Sequence, residues 1–554
     1  MRRPCVTQLL LWAPVAFAAA DLLVMLVNGP ELVRALHNNA DVAGGQMVAA
    51  LYGQRGPGST VILTYPWYES LWFTRATAWL PDARQVWVLG PFVFTGLAIA
   101  GLGWTASRLF GAWAGAMTAV ILVCSSSALR IVTFTLNWHG APVVHAVLLC
   151  VVLVLVIRYS GRLSTPALVG VGAAVATITA LIVSDELSLV IAIVPFAGTA
   201  LLMWWRTGLG AERRVAIFAV ATMAVAIAGG QAAAHAMSDA GVIEIPGFRI
   251  CFTDYTQLSD NLEILVVAFA ALGSGTFFTR ALDAGGIGRF TLAVLTLGAA
   301  VLVLRRLWNA APRVVERARA AGPEGVARDA YLVFWSLALV GILVAFVFLD
   351  VSWDVISSRY LTGGFFALAA LVPPLLGVRP RARLVVAAGI GLYAALTLGF
   401  HVAKGVGTWS DGVDLGAPTD QLVHFARANG LEFGYGGYRD APVVTWLADE
   451  RVKVFPVSPC GTRLCPYGAQ AISTWYRPRR RVRTFLVAHP LAKGRLSLKA
   501  PYARAGRPLE VRRFGSLTVY VYDHDLAADL GPGPNRHAPG VPCGIPNRLH
   551  RPSF

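Results

Sequence analysis

Residues 141–157 read APVVHAVLLCVVLVLVI, an apolar run interrupted by a single histidine. A helix of roughly 20 such residues crosses the ~30 Å hydrocarbon layer of a bilayer. Similar runs recur along the 554 residues, of which 56% are hydrophobic and only 14% are charged. A soluble protein of this length would need more charge to cover its surface. The sequence therefore predicts an α-helical integral membrane protein with many transmembrane segments.

The apolar runs predict about eleven transmembrane helices. They lie near 7–28, 86–103, 111–128, 141–157, 166–183, 189–205, 215–233, 290–305, 331–349, 362–378 and 383–403. The first run resembles a secretory signal, but apolar sequence continues past Asp21 to Val27, which favours an uncleaved helix. The apolar segment 263–278 is short and contains Gly-Ser-Gly, so we interpret it as a re-entrant or interfacial helix.

Arginine-bearing connections alternate with the predicted helices and predict their orientation. They are the segments 104–110, 158–165, 206–214, 306–330 and 379–382. Such loops stay in the cytoplasm by the positive-inside rule, which predicts a cytoplasmic N-terminus in the plasma (inner) membrane. Many of the arginines behind the net charge of +17 belong to these loops, so nucleic-acid binding is not expected.

The predicted outer side receives a large first loop at 29–85, a second region at 234–289, and everything after the last helix. That last part is polar and rich in Gly, Pro and Arg. It contains alternating runs such as LTVYVY at 517–522, which are typical of strands. The predicted divisions are a transmembrane domain at 1–403, a small extracytoplasmic α/β domain at 404–530, and a disordered tail at 531–554.

Two cysteines, Cys460 and Cys465, lie in the turn-rich segment SPCGTRLCPYG. Outside the cytoplasm, two cysteines this close together in a turn are expected to form a small disulfide loop. A zinc knuckle is the competing interpretation, although no second Cys/His pair stands nearby at ligand spacing.

Acidic residues at the predicted outer helix ends are the candidates for chemistry. Carboxylates near hydrocarbon are costly to bury and usually face a cavity with a function. The alternative is that they cap helices or extend to the interface. The candidates are Asp41 and Glu69 in the first outer loop, and Asp185 and Glu186 in a tight turn. Asp41 follows His37 and two asparagines in a loop, which favours a functional role.

Three stretches of the chain together resemble one known family. HNNADVAGG at 37–45 places Asp41 after the first helix, and SRYL at 358–361 opens a late helix. LEFGYGGYRDAPVVTWL at 431–447 opens the polar domain. These features are similar to the GT-C superfamily of membrane glycosyltransferases, which use polyprenyl-phosphate sugars. That family has an acidic catalytic residue after helix 1 and a frequent R-Y-L segment.

The resemblance implies inverting transfer of a sugar from a polyprenyl-phosphate-linked donor to an extracytoplasmic glycan, lipid or protein acceptor. Such a transfer needs a carboxylate base, for which Asp41 is the first choice and Glu69, Asp185 and Glu186 are alternatives. Arg359 suits the lipid phosphate because its guanidinium can bind two phosphate oxygens. Asp41 lacks the adjacent acidic partner of some family branches, so base and metal roles both stay open. No cofactor is expected with certainty, and a divalent metal remains an alternative.

Further substrate contacts are expected from Tyr360, from His139 in NWHG, and from Trp67 and Tyr68 in the first outer loop. Aromatic rings stack on sugars, but Trp and Tyr also gather at membrane interfaces without any ligand. For His139 the alternative is a hydrogen-bonded polar residue at the interface.

Two other function classes remain open: a transporter or flippase of a lipid-linked sugar, and a noncatalytic membrane scaffold. Transporters often show internal repeats with broken helices in corresponding positions. Neither feature is visible in this sequence, which favours the transferase.

Overall fold

The computed structural model describes most of the chain, and every structural statement below refers to that part. The described ranges are 3–37, 40–52, 58–62, 76–77, 79–80, 83–135, 139–183, 185–208, 210–244, 251–276, 283–317, 322–350, 355–406, 416–460, 463–468, 470–489 and 505–531. Most residues within these ranges are helical, as the apolar runs predict.

The described helices follow one another from the N-terminus into the C-terminal domain. In chain order they are α1 (Arg3–Val27), α2 (Gly29–His37), α3 (Ala40–Leu51), α4 (Ala83–Phe110), α5 (Ala112–Val123), α6 (Ser127–Thr133), α7 (Ala141–Tyr159), α8 (Thr165–Ile182), α9 (Val194–Thr207), α10 (Gly210–Asp239), α11 (Leu258–Leu272), α12 (Ala284–Arg317), α13 (Pro323–Phe348), α14 (Thr362–Leu376), α15 (Pro380–Lys404), α16 (Gly416–Ala428) and α17 (Ala441–Leu447). A π-helical turn at Leu189–Ile193 leads into α9, and a 3₁₀ turn at Val355–Leu361 leads into α14.

Ten helical segments of the described chain are long and apolar enough to cross a membrane. They are α1, α4, α7, α8, α9 with its π turn, α10, α12, α13, α14 with its 3₁₀ turn, and α15. The pair α5 and α6 is bent by 97° and gives an eleventh crossing if the two form one broken span. The prediction of a polytopic helical membrane protein is confirmed.

The bend between α5 and α6 departs from the straight helix predicted at 111–128. A new helix begins after Ser126, whose hydroxyl accepts a hydrogen bond from the Leu129 N–H at 3.0 Å. Serine is a preferred N-cap because its side chain satisfies an otherwise unpaired N–H of the first turn. The 12 residues of α5 alone rise about 18 Å, which is less than the hydrocarbon thickness. The hydropathy pattern does not show where α5 ends, because the segments on both sides of Ser126 are apolar.

The short segment predicted at 263–278 forms α11. Its 15 residues rise about 22 Å and do not reach spanning length. The helix ends at Gly273, and Ser274 follows with a positive φ of 62°. One end of α11 packs beside the 3₁₀ turn that precedes α14, so this short helix borders the site described below.

The C-terminal domain is an α/β unit built on a six-stranded sheet with the order β5-β4-β3-β7-β9-β8. Its strands are β3 (Phe433–Gly437), β4 (Lys453–Cys460), β5 (Arg463–Pro466), β7 (Thr484–Ala488), β8 (Glu510–Phe514) and β9 (Leu517–Tyr522). The central strands β4, β3 and β7 are parallel, and the outer strands pair antiparallel. Helix α17 connects β3 to β4. The predicted α/β character of this region is confirmed.

A second, three-stranded sheet joins this domain to the outer loops of the membrane domain. It contains β1 (Val61–Ile62), β2 (Ile243–Glu244) and β6 (Ala471–Ile472). Strand β1 from the first outer loop pairs parallel with β2 and antiparallel with β6. Apolar residues of α3 also pack into the same core as the central strands. The outer loops and the C-terminal domain therefore form one continuous layer.

The hairpin of β4 and β5 carries a disulfide between Cys460 and Cys465, whose Cα atoms lie 5.8 Å apart. The Gly531 N–H donates to the Leu464 carbonyl at 2.7 Å, which brings the end of the domain onto this hairpin. A Cβ at Gly531 would lie 2.5 Å from the Cys465 Sγ, so only glycine fits against the disulfide. The predicted disordered tail lies outside the described residues from 532 onward.

Candidate functional site

One end of the helix bundle carries the C-terminal domain, and we call it the domain end. Helix α15 runs into the domain there, and α1 ends beside it because Asp21 Oδ1 lies 2.5 Å from His401 Nδ1. Helix α4 begins there, where Arg84 forms an ion pair with Asp449 of the domain at 2.7 Å. Helix α10 also ends there and leads into β2. Of the predicted outer residues, His139, Asp185, Arg359 and Tyr360 are described and belong to this end.

His139 and Asp185 form a buried pair at the domain end. The distance from His139 Nδ1 to Asp185 Oδ2 is 2.7 Å, and each residue is 4% exposed. The second oxygen, Oδ1, accepts a hydrogen bond from the Leu187 N–H at 3.0 Å. Asp185 thus both stabilises the turn between α8 and α9 and orients the histidine.

The backbone around His139 has an uncommon conformation. His139 has a φ of 65°, in the left-handed region that is costly for a residue with a Cβ. A side chain at Gly140 would collide with the carbonyls of Val132 and Thr135, so the following position must be glycine. Strain of this kind is maintained where surrounding contacts fix it and is common at functional sites.

Tyr360 and Arg359 extend the pair into a continuous cluster. The Tyr360 ring centroid lies 5.0 Å from that of His139. Arg359 Nη2 donates to the Tyr360 hydroxyl at 3.0 Å, and its guanidinium lies 4.7 Å from the ring centroid. Both residues belong to the 3₁₀ turn before α14. The structure therefore brings together four residues that the sequence analysis proposed on three separate segments.

The electrostatics of the cluster combine a cation with an oriented imidazole. When His139 Nδ1 carries the proton and donates to Asp185, Nε2 of the neutral ring is an acceptor. An arginine fork one ring away can bind phosphate oxygens. A cation and a basic nitrogen within one cluster are groups that acyl, phosphoryl or glycosyl transfer can use.

Glu186, next to Asp185, is exposed. Desolvation raises the pKa of Glu186, and the nearby negative charge of Asp185 raises it further. Its exposure separates it from the buried His139–Asp185 pair.

Asp41 lies in the first turn of α3 rather than in a loop, which corrects that expectation; its side chain is outside the described part. Helix α3 is fixed against the C-terminal domain by a close contact, because a Cβ at Gly44 would collide with Gln470 Oε1. His37 Nε2 lies 2.8 Å from Gln46 Oε1, and its ring stacks on Trp446 at 5.0 Å. Burial lowers the pKa of His37, which favours the neutral ring in this stack.

The other predicted aromatic and acidic contacts, Trp67, Tyr68 and Glu69, lie outside the described residues. Among the residues that are described, no group of three or more His, Cys, Asp or Glu is arranged to hold a metal ion.

A second buried cluster at the domain end was missed by the sequence analysis. It consists of Asp21 in α1, Arg130 in α6 and His401 in α15. The available signal was the presence of ionisable side chains in or beside apolar segments, which are rare and usually functional. Arg130 lies between the helices predicted at 111–128 and 141–157, where the sequence gives no reason to expect a buried arginine.

No family model matches this chain, and no curated protein matches it. Solved structures do show similarity. The archaeal oligosaccharyltransferase AglB from Archaeoglobus fulgidus, in complex with an inhibitory peptide and a dolichol-phosphate, is 13% identical with a TM-score of 0.44. That match covers 80% of this chain, which spans 64% of the length of the archaeal protein. ArnT from Cupriavidus metallidurans bound to undecaprenyl phosphate is 13% identical with a TM-score of 0.48, covering 94% of this chain and 99% of ArnT.

Proposed function

We propose that this protein transfers a sugar from a polyprenyl-phosphate-linked donor to an acceptor outside the cytoplasm. The observation that supports this most directly is the chain of contacts from Arg359 through Tyr360 to the His139–Asp185 pair. The cluster lies at the domain end of membrane-spanning helices, where a lipid phosphate at the bilayer surface can reach a cation. The adjoining C-terminal domain is available to an acceptor glycan, lipid or protein.

In the proposed reaction Arg359 binds the phosphate of the lipid-linked donor. The acceptor oxygen attacks the anomeric carbon while the bond from that carbon to the phosphate oxygen breaks. The lipid phosphate leaves with the electron pair of that bond, and its increased negative charge is stabilised by the guanidinium. Configuration at the anomeric carbon is inverted because the attack comes from the face opposite the leaving group.

Asp41 is the proposed base that accepts the proton of the acceptor hydroxyl. Its helix α3 lies between the membrane domain and the C-terminal domain, where donor and acceptor would meet. The second candidate is His139, oriented by Asp185, since both oxygens of Asp185 are already engaged by protein donors. A neutral imidazole held in this way can take the proton at Nε2.

The decisive experiment follows sugar transfer from a radiolabelled lipid donor in membranes that contain wild type, Asp41→Asn or Asp185→Asn protein. Asp41→Asn preserves shape but cannot accept the proton, so turnover is expected to fall by roughly a hundredfold or more. Wild-type turnover by this variant together with loss in Asp185→Asn would assign the base to the histidine pair. Absence of transfer by the wild type with every donor would instead favour a lipid-linked sugar transporter or a scaffold.

The proposed orientation places the N-terminus in the cytoplasm and the C-terminal domain outside it. It is supported by ion pairs with arginine at the bundle end opposite the domain, Arg158 with Glu324 at 2.8 Å and Arg206 with Asp329 at 3.3 Å. Arginine-rich helix ends stay cytoplasmic by the positive-inside rule. Reporter fusions at Gly208 and Gly430 should report opposite sides of the membrane, and reports from the same side would contradict this orientation.

A further inference from the structure

Cys251 lies at the border of the candidate site. Its segment pairs with the end of α13, where the Asp350 N–H donates to the Cys251 carbonyl at 2.9 Å. The Thr253 N–H donates to the Phe348 carbonyl at 2.8 Å in the same pairing. From Asp350 the chain continues towards the 3₁₀ turn that carries Arg359. Cys251 is therefore attached to the backbone that leads into the proposed donor site.

The side chain of Cys251 is disulfide-bonded. The chain has seven cysteines, and four of the other six are either bonded to each other or free. These four are Cys460 and Cys465, which form one disulfide, and Cys124 and Cys150, which are buried free thiols. The partner of Cys251 within the chain is therefore one of the two remaining cysteines, Cys5 or Cys543.

Cys5 lies at the end of the bundle opposite to Cys251. It belongs to α1, in which Asp21 marks the domain end, and the helix rises about 24 Å between these two residues. Helix α13 begins at the opposite end of the bundle, where Glu324 pairs with Arg158, and it ends beside Cys251. Disulfide-bonded cysteines usually have Cα atoms within about 7 Å of each other. This separation excludes Cys5 as the partner.

We propose that Cys251 is bonded to Cys543, so that residues 532–543 form a covalent strap from the C-terminal domain to the border of the candidate site. The strap begins after Gly531, which is fixed against the hairpin that carries Cys465. Its twelve residues can reach about 40 Å when extended. Its sequence, PGPNRHAPGVPC, is rich in proline, a composition that favours an extended chain.

The three-stranded sheet brings the two attachment points of the strap into the same outer layer. Strand β2 precedes Cys251 in the chain, and β6 follows the hairpin against which Gly531 packs. These two strands flank β1, so they lie about 10 Å apart. A strap of this length is therefore long enough to join the hairpin to the segment of Cys251.

Formation of the bond oxidises the two thiols. Cys251 and Cys543 together give up two electrons and two protons to the disulfide of a thiol–disulfide oxidoreductase, which becomes a dithiol. The reaction requires an oxidising compartment, as does the bond between Cys460 and Cys465. The strap goes beyond the proposed sugar transfer and does not depend on it. It makes the last part of the chain a fixed part of the outer layer, where the sequence alone predicts a disordered tail.

The first test maps the disulfides of the full-length protein purified from membranes. Free thiols are alkylated in denaturant without reduction, and the tryptic peptides are identified by mass spectrometry. The expected species joins residues 250–280 to residues 537–548 and separates into these two peptides after reduction. This measurement uses the wild-type protein, so it does not depend on the folding of any variant.

The second test counts reactive thiols in denaturant with a maleimide mass tag. The wild type should show three reactive thiols, namely those of Cys5, Cys124 and Cys150. Cys543→Ser should show four, because Cys251 loses its partner and becomes reactive. Cys5→Ser is the matched control and should show two, because it removes a free thiol and releases none.

The opposite pattern, with four thiols in Cys5→Ser and two in Cys543→Ser, would assign the bond to Cys5 and overturn the proposal. Recovery of Cys251 in alkylated form, or linked to Cys460, Cys465 or a second copy of the chain, would also overturn it. Neither test uses a sugar donor or measures turnover. Failure of the strap and failure of the proposed function are therefore separate results.

Discussion

Two aspartate–histidine pairs lie at the domain end, and both use the Nδ1 atom of histidine. In one, His139 contacts Asp185 at 2.7 Å beside a tyrosine, within an irregular turn. In the other, His401 contacts Asp21 at 2.5 Å within regular helices, and buried Arg130 shares the carboxylate. Among the described residues no arginine pairs with Asp185, and its partner histidine is strained, whereas Arg130 neutralises Asp21. The two aspartate–histidine pairs are alike, so it is the residues around them that make the first suited to chemistry and the second a connection between helices.

The largest difference between the pairs should appear in stability. Asp21→Ala leaves the Arg130 charge buried without its counterion, which should lower the free energy of unfolding by about 3 to 5 kcal/mol. Thermal denaturation in detergent, followed by tryptophan fluorescence, measures the loss. Asp185→Ala is the matched control and should lose less, since no buried cation depends on it. An equal loss in both variants would break the comparison.

Turnover should respond in the opposite way. In the second candidate mechanism, where His139 is the base, His139→Gln removes the oriented imidazole beside Tyr360 and should reduce sugar transfer by roughly a hundredfold or more, with a small change in stability. His401→Gln should change the turnover of each folded molecule much less. Transfer assays normalised to folded protein make this comparison. Greater loss of turnover in the His401 variant would assign the chemistry to the other pair.

Donor affinity should sharpen the comparison further. Arg359→Ala should weaken binding of a polyprenyl-phosphate donor by about tenfold to a hundredfold, because two hydrogen bonds to a charged group are lost. Arg359→Lys should restore affinity only in part, since a point charge does not reproduce the bidentate contact. Equilibrium binding to the purified protein measures both, and an unchanged Kd in the Ala variant would remove this role.

The smallest effect is expected at His524, a partly exposed histidine of the C-terminal domain that also has carboxylate partners. The hydrogen bond with Asp523 and the contacts with Asp529 raise the pKa of His524. Protonated His524 therefore stabilises the folded state. This stabilisation is fully present below the unfolded-state pKa near 6.5 and is lost as the pH rises through the higher folded-state pKa. NMR titration should show this pKa falling in Asp529→Asn. A value that does not change would assign the whole shift to Asp523.

The membrane helices were predictable because length and hydropathy suffice to locate a span. The bend at Ser126 was not, because one N-cap between two apolar segments leaves the hydropathy pattern unchanged. His139, Asp185, Arg359 and Tyr360 could each be proposed from their positions near helix ends. Their mutual contact could not, since it depends on packing between turns that are far apart in the chain.

Arg130 illustrates a different limit. Arg130 lies within the largely apolar stretch SALRIVT, and only the folded helix shows that its side chain points inward. The three-stranded sheet is equally hidden, because strands of two residues carry no periodic pattern. Local sequence thus indicates which residues are chemically unusual, while their partners are set by tertiary packing.

The pairing of β1 with β6 also constrains the order of events during biosynthesis. About 400 residues separate Val61 from Ile472, so the first outer loop is complete long before its partner strand exists. At ribosomal speeds of about 5 to 20 residues per second, the segment with β1 waits roughly 20 to 80 s for its partner strand to be made. During that interval the edge of β1 that later pairs with β6 is unpaired, and α3 lacks the C-terminal domain against which it packs. The nascent protein is therefore expected to form this three-stranded sheet only after the C-terminal part of the chain has been made.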